Sequence, residues 1–542
     1  MPTLSNHRWI AGPKQDIALL IGLPVLIVPV VAFLLSTGIS DPRNLNAWVF
    51  ALGAQGHHLP GWLRAYGDRS VFDAYRQRLI LGPIVILSIA IVCTVADLQV
   101  LVLAAYLWGI WHALMQTYGV ARVYGRFGGT PDRLVRWDLI TCQVGFIGAV
   151  LASPMRQHYI LDFMLRLGLP IPDQVTLDNL RVVSICVTIA VMARWLYLQW
   201  VNRSPSTHPG RWLLIPSSIA FWWFCNLTIN HMLIGLALFE IFHDLQYLSL
   251  VWWVGRTRQR QGAGGQPAQW LYGMGGLSIG FYVGACLLYG AISSPGEVGS
   301  SLYRVGVGVL AASQLLHFYF DGFIWRLNEA ANATWVQKQS SPTTKTHRTK
   351  PWGVMAALAV LGLGATLESR HESSADKRIP ILAQAVPDSP IAQTQLGALY
   401  RAKNDTPAAI IAYRKALELT PDYDRAMAGE EQAYKEAVER GSLDNLSIED
   451  CVQIRHAGFS KSAFEVGKKA SLSGLLKRAS SSWRTAICLD PTNIEAIHSL
   501  AVFHAKQAEF AQAKAILSTG LSHQPDSEEL KELLAAITGR RE

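Results

Sequence analysis

The chain has 542 residues, half of them hydrophobic and 16% charged, with 18 tryptophans and a formal net charge of +9. That charge does not mark a nucleic-acid partner, because Lys and Arg are spread through loops beside apolar runs instead of forming one patch. The seven cysteines form no CxxC pair, which excludes the common zinc and dithiol motifs; five lie in apolar runs (Cys93, Cys142, Cys186, Cys225, Cys286) and two in the polar tail (Cys451, Cys488).

The average composition conceals a division near residue 370. Before it, apolar runs of about 20 residues recur, the length of helix that crosses a hydrocarbon layer; after it none does. The first run, Ile17 to about Ile39, follows His7, Arg8 and Lys14, but its length and the lack of an A-x-A site read as a retained span, not a signal peptide. The pattern predicts about eleven spans, near 17–39, 47–66, 79–96, 98–120, 137–153, 182–199, 213–229, 231–254, 270–291, 303–325 and 352–366. Every second loop is basic, from Arg8 and Lys14 through Arg64 to Arg78, Arg122 to Arg136, Arg203 and Arg211, and Arg256 to Arg260, to the run from Arg326 to Lys350. By the positive-inside rule these loops are cytoplasmic. The loop carrying Arg156, Arg166 and Arg181 departs from the alternation. The stretch 213–254 reads either as two spans or as one span and a re-entrant segment.

The expected organisation is all-α: a polytopic transmembrane helix bundle over residues 1–326 with about ten spans, a basic cytoplasmic linker over 327–351, a last span over 352–366, and a soluble α-solenoid over 387–542. An N-terminus inside and an odd number of crossings place the tail outside the cytoplasm, on the periplasmic side of a bacterial inner membrane. Membrane lipids are then the immediate surroundings, and the basic rim of Arg64, Arg122, Arg256 and Arg326 reads as topology signal and phospholipid contact.

In the tail, Pro421, Pro491 and Pro525 each close an amphipathic helix, in the contexts ALELTPD, AICLDPT and GLSHQPD, at separations of 70 and 34 residues. That period belongs to helix-turn-helix repeats. Leu396, Gly397, Tyr400, Ala408, Tyr413 and Ala416 resemble the tetratricopeptide pattern, and Ala501, His504, Ala508, Ala511 and Ala515 repeat it without the aromatic anchor. The resemblance implies about four stacked units, two of them degenerate, with a concave face for a protein or peptide partner.

Ionisable groups inside spans are costly and mark function. His57 and His58 fall in the second predicted span, His112 in the fourth, His243 in the eighth and His317 in the tenth, all spans that run in the same direction. Each precedes the next basic loop by six to thirteen residues, so the imidazoles occupy one slab roughly 10 to 20 Å from the cytoplasmic boundary. A lone intramembrane His commonly bonds a backbone carbonyl; four at one depth on parallel helices point to a shared metal site. Gln116, Glu240, Asp244, Gln246, Tyr247 and Asp321 lie within about a helical turn of these histidines, where they can orient the rings or join them. Tyr118, Tyr247 and Tyr319 are candidate proton or hydrogen-bond donors, with Asp321 beside them. Of the adjacent His57 and His58, one is expected to face away, leaving His58 in the site. His158 and His231 read as structural.

The imidazole set suits iron, zinc or copper. No HExxH, GxSxG, P-loop or dinucleotide fingerprint occurs. Isolated imidazoles from separate spans resemble the histidine-rich membrane iron oxygenases, including the retinal-forming carotene dioxygenases. The resemblance rests on His57 or His58, His112, His243 and His317, and it implies non-haem iron acting on a lipophilic substrate. The HxxxH and HxxHH boxes of the desaturases are missing. A haem-binding electron carrier with two axial histidines, a multi-span glycosyltransferase with periplasmic repeats and a non-enzymatic membrane scaffold stand as alternatives; the glycosyltransferase is disfavoured because the first outer loop, SDPRNLN, holds only Asp41.

Overall fold

A backbone surrounded by hydrocarbon must satisfy its own hydrogen bonds, and the apolar runs of the N-terminal two-thirds do so as helices. The computed structural model describes residues 8–203, 207–260, 272, 278–292, 301–325, 351–371, 374–440, 443, 446 and 448–539, with no strand among them. The chain divides into two units, Met1–Ser373 and Ser374–Glu542. The expected basic linker falls outside the described residues apart from Pro351, as does the start of the expected span at 270–291.

The described helices of the first unit are α1 (Pro13–Asp16), α2 (Leu23–Ser36), α3 (Pro42–Val49), α4 (His58–Gly67), α5 (Arg69–Val95), α6 (Val100–Phe127), α7 (Asp132–Ala152), α8 (Pro154–Arg166), α9 (Gln174–Val201), α10 (Pro209–Trp223), α11 (Met232–Arg260), α12 (Ser278–Ile292), α13 (Ser301–Ile324) and α14 (Pro351–Arg370). Six of them, α5, α6, α7, α9, α11 and α13, are long and apolar enough to cross a membrane; α1 and α2, bent by 52° and joined through the π-helical turn Ile17–Ile21, would make a seventh span. The continuous helix expected over 47–66 is instead interrupted: α3 runs into a π-helical turn, Phe50–Gln55, before α4 begins. Gly53, Gly56 and Pro60 weaken helix continuity there. The stretch 213–254 folds as two helices, α10 and α11, separated by a third π-helical turn at Phe224–Thr228.

Polar side chains staple this unit at its ends and centre. Asp41, Asp68 and Asp173 cap α3, α5 and α9 by accepting backbone N–H groups. Glu368 of α14 accepts from the N–H groups of Gln99 and Val100, at 2.8 and 2.9 Å, and so places its carboxylate on the positive end of α6. Asp16 takes three N–H groups of Ile10, Ala11 and Gly12 and the Tyr124 hydroxyl, which fixes the N-terminal approach onto α6. The fully buried Arg211 grips Asp138 through two bonds of 2.7 Å and Gln199 through one of 2.9 Å, while Trp195 donates to Asp138, tying α7, α9 and α10 together.

The second unit runs through α15 (Ala375–Ala385), α16 (Pro390–Ala402), α17 (Thr406–Leu419), α18 (Asp424–Arg440), α19 (Ile448–Gln453), α20 (Ala457–Leu472), α21 (Leu476–Leu489), α22 (Ile494–Lys506), α23 (Phe510–His523) and α24 (Glu528–Thr538). Its repeat is written in the backbone as well as in the prolines. Asn404, Gly474 and Ala508, again 70 and 34 residues apart, all adopt positive φ (61°, 72° and 62°) in the turns that reverse α16 into α17, α20 into α21 and α22 into α23. Small residues let the paired helices close on an aromatic wedge: a methyl group on Gly397 or Gly429 would lie 2.8 or 2.4 Å from the Tyr413 ring, and one on Gly467 would lie 2.6 Å from Trp483. Cys451 and Cys488, which carry no spacing signal in the sequence, form a disulfide between α19 and α21, with Cα atoms 5.0 Å apart.

Candidate metal centre

The five histidines come from four directions and meet. The π-helical turn before α4 delivers His57 and His58, α6 carries His112, α11 carries His243, and α13 carries His317; all five are buried. Ring centroids of His57 lie 4.7 Å from His58, 5.6 Å from His243 and 4.4 Å from His317, and His112 lies 5.1 Å from His243 and 4.8 Å from His317. Both members of the adjacent pair face the cluster. His57 is the residue before α4, and its ring meets those of both His58 and His317.

The hydrogen bonds orient some ring atoms and leave others bare. His57 Nδ1 lies 2.5 Å from the Gly53 carbonyl oxygen and 3.0 Å from Asp244 Oδ1, and its Nε2 faces His317 Nε2 at 2.9 Å. His58 Nδ1 contacts the Ser313 hydroxyl at 3.1 Å, and that hydroxyl in turn contacts Tyr289. His112 Nε2 and His317 Nδ1 are buried without a hydrogen bond, while the buried Asp244 carboxylate pairs with His57 Nδ1. Desolvating such unbonded atoms costs about 1–3 kcal/mol each when nothing binds them.

Three ligand sets can be drawn: His57, His58 and His317; His57, His243 and Asp244; and His112, His317 and Asp321, with the ligand atoms of each set within 4.8 Å of one another. The last two share no residue, and each is two imidazoles with one carboxylate, the donor set of non-haem iron sites that keep open positions. Neutral imidazole and carboxylate donors are chemically suited to iron.

The other residues singled out in the sequence sort by distance. Asp321 Oδ1 accepts from Tyr247 Oη at 3.2 Å and from Trp325 Nε1 at 3.0 Å, while its Oδ2 lies 3.7 Å from His317 Nε2. Gln116 donates to the His243 carbonyl and to Gln246, and Gln246 donates to the Leu20 carbonyl inside the first π-helical turn. These amides hold α11 in register with α6 and do not reach the rings' nitrogens. Glu240 is half-buried one turn before Asp244, outside the converging sets. Tyr118 packs against the main apolar core, and Tyr319 packs with Phe320 and Phe323. Sequence reasoning missed Ser313 and Tyr289 and the hydrogen-bonding role of Trp325. It also missed Gly53, where a methyl group would lie 1.7 Å from Asp244 Oδ2. The GAQGHHLP string, with glycines before paired histidines in a span, is the signal by which Gly53 could have been found.

The C-terminal repeats have a family match. Residues 473–537 match the tetratricopeptide repeat family. The matched segment covers α21, α22, α23 and most of α24, including the turns at Gly474 and Ala508. No curated protein matches the chain.

Proposed function

We propose that the first unit is a membrane-embedded metal-dependent oxidoreductase that uses non-haem iron on a lipophilic substrate, and that the repeats bind a protein on the side of the membrane away from the cytoplasm. The observation that supports this reading is the pair of buried two-histidine, one-aspartate sets that share no residue, with His112 Nε2 and His317 Nδ1 making no hydrogen bond. His57, His243 and Asp244, and His112, His317 and Asp321, are the residues that would hold iron, which supplies dioxygen activation and one-electron chemistry when bound. Gly53 and the Gln116–Gln246 pair position Asp244 and His243. Tyr247 and Trp325 fix the Asp321 carboxylate, and the Tyr247 hydroxyl can pass a proton to Asp321 Oδ1. Phe318, stacked 4.6 Å from His112, and Phe239 near His243 give the site an apolar border suited to a lipid-soluble substrate. The rings of His57 and His317 are in direct contact, with Nε2 atoms 2.9 Å apart, which favours a bare ion over a haem that would need to slide between axial ligands about 4 Å apart.

On this reading the chain crosses the membrane about eleven times, with a cytoplasmic N-terminus. The Cys451–Cys488 disulfide supports an extracytoplasmic repeat unit, because such bonds persist in oxidising compartments. The activity is tested by supplying ¹⁸O-labelled dioxygen to the iron-loaded protein in lipid nanodiscs with extracted membrane lipids and following the products by mass spectrometry. Label in a lipid-derived product is expected from the wild type and not from His317→Ala; no oxygen-dependent product from an iron-loaded sample would overturn the oxygenase reading.

A further inference from the structure

The second unit carries a cavity of about 450 Å³ that the membrane chemistry does not use. Three helices each turn one face to it: Arg484, Ile487 and Cys488 from α21, Ile497, Leu500 and His504 from α22, and Ile516 with its neighbours one turn either side from α23. The spacing of three and four residues makes each set a single stripe. Its floor is apolar, and its volume is in the range of sites that enclose a side chain or small ligand. Among the described residues no Asp or Glu lines it, while Arg455 and Arg484 stand at its rim. Among the described residues neither arginine pairs with a carboxylate: Arg484 contacts His504 Nε2, whose Nδ1 is taken by Glu509. Two exposed guanidinium groups beside an apolar floor are complementary to a carboxylate next to an apolar side chain.

The wall of the cavity has a further property. Cys451 and Cys488 both line it, and their disulfide is the covalent tie between the short helix α19, next to Arg455, and α21, which carries Arg484. The bond, together with the His456 N–H donated to the Leu489 carbonyl at 2.8 Å, joins the segment that carries Arg455 to α21.

Building on the protein-binding reading of the repeats, we propose that this cavity receives an acidic segment of a partner protein, with an apolar side chain in the pocket and an adjacent carboxylate on Arg455 and Arg484, and that the Cys451–Cys488 disulfide keeps it competent to bind. Binding of a short fluorescent peptide containing adjacent leucine and glutamate would be measured by anisotropy on the full chain in nanodiscs. The oxidised wild type binds; replacing glutamate by glutamine in the peptide, or Arg455→Glu with Arg484→Glu in the protein, weakens binding by about tenfold or more. The doubly reversed variant, checked for wild-type circular dichroism, gains affinity for the corresponding lysine peptide. Reduction with dithiothreitol weakens the acidic peptide to a similar degree. Equal binding of the glutamate and glutamine peptides would overturn the charge assignment, and unchanged affinity after reduction would overturn the role of the disulfide. Displacement of the peptide by a simple aliphatic acid at equal concentration would overturn the protein-segment assignment in favour of a small amphiphile. A partner that crosslinks to the repeats while Arg455 and Arg484 stay reactive to an arginine reagent would overturn this site and leave the interaction reading standing.

Discussion

Asp244 of α11 lies directly against Gly53 in the π-helical turn before α4, so closely that a methyl group at position 53 would sit 1.7 Å from Oδ2. The contact lets a carboxylate from one element approach the Nδ1 of His57 on another. Gly53→Ala forces the Asp244 carboxylate away at a strain of about 1–3 kcal/mol. The protein is expected to fold, but its iron affinity should fall by about 10- to 100-fold, the usual effect of disturbing groups that orient a metal site. Wild-type affinity in a metal-competition titration of Gly53→Ala would show that Asp244 is not held for the ion.

Stability of the membrane unit should depend on the Asp138–Arg211 pair. Arg211 is fully buried with its partner, so Asp138→Ala leaves an uncompensated charge and costs about 3–5 kcal/mol. The double variant Asp138→Leu, Arg211→Met should recover most of that loss, because apolar replacements of buried pairs are often neutral. Thermal unfolding in detergent of both variants checks this, and equal losses in the two would contradict it.

The repeat turns give predictions of opposite sign. Ala508 holds a left-handed conformation that costs a non-glycine residue roughly 1–2 kcal/mol, against an unfolded-state penalty for glycine of roughly 0.4–1 kcal/mol. Ala508→Gly should therefore stabilise the unit by about 0.5–1 kcal/mol. Gly474→Ala, at the equivalent turn and with nothing within 4 Å of the added methyl, should destabilise it by about 0.5–1 kcal/mol by the same balance of backbone terms. Unfolding monitored by Trp483 fluorescence reads both.

The disulfide tests which side of the membrane the repeats occupy. In intact cells, Cys451 and Cys488 should resist alkylation until a reductant is added, and a membrane-impermeant maleimide should then reach them. Free alkylation of both without reductant would place the repeats in a reducing compartment.

What the sequence made legible follows from range. The similar counts from each histidine to the next basic loop single out His112, His243 and His317, which the structure brings together, because rise per residue is fixed within a helix. The 34-residue period shows in the prolines because each repeat needs the same stop. Contacts between elements were not legible: the Ser313 hydroxyl against His58 and the Asp244 carboxylate against Gly53 depend on helix rotation and register, which local spacing does not encode. The break before His57 was hidden because glycine and proline are tolerated in membrane helices, so 47–66 read as one span. The Cys451–Cys488 pair was hidden because its 37-residue separation matches no motif.

The proposed function rests on the buried histidines and aspartates holding a metal ion. Its most direct test is elemental analysis with an absorbance spectrum on the purified full-length protein, comparing wild type with His112→Ala, His243→Ala and the distant control His158→Ala. Near-stoichiometric iron without a haem band is expected in the wild type and the control, with loss in the two site variants. A well-folded wild type that retains no metal after reconstitution with iron, zinc or copper, or whose metal persists in both site variants, would contradict the assignment.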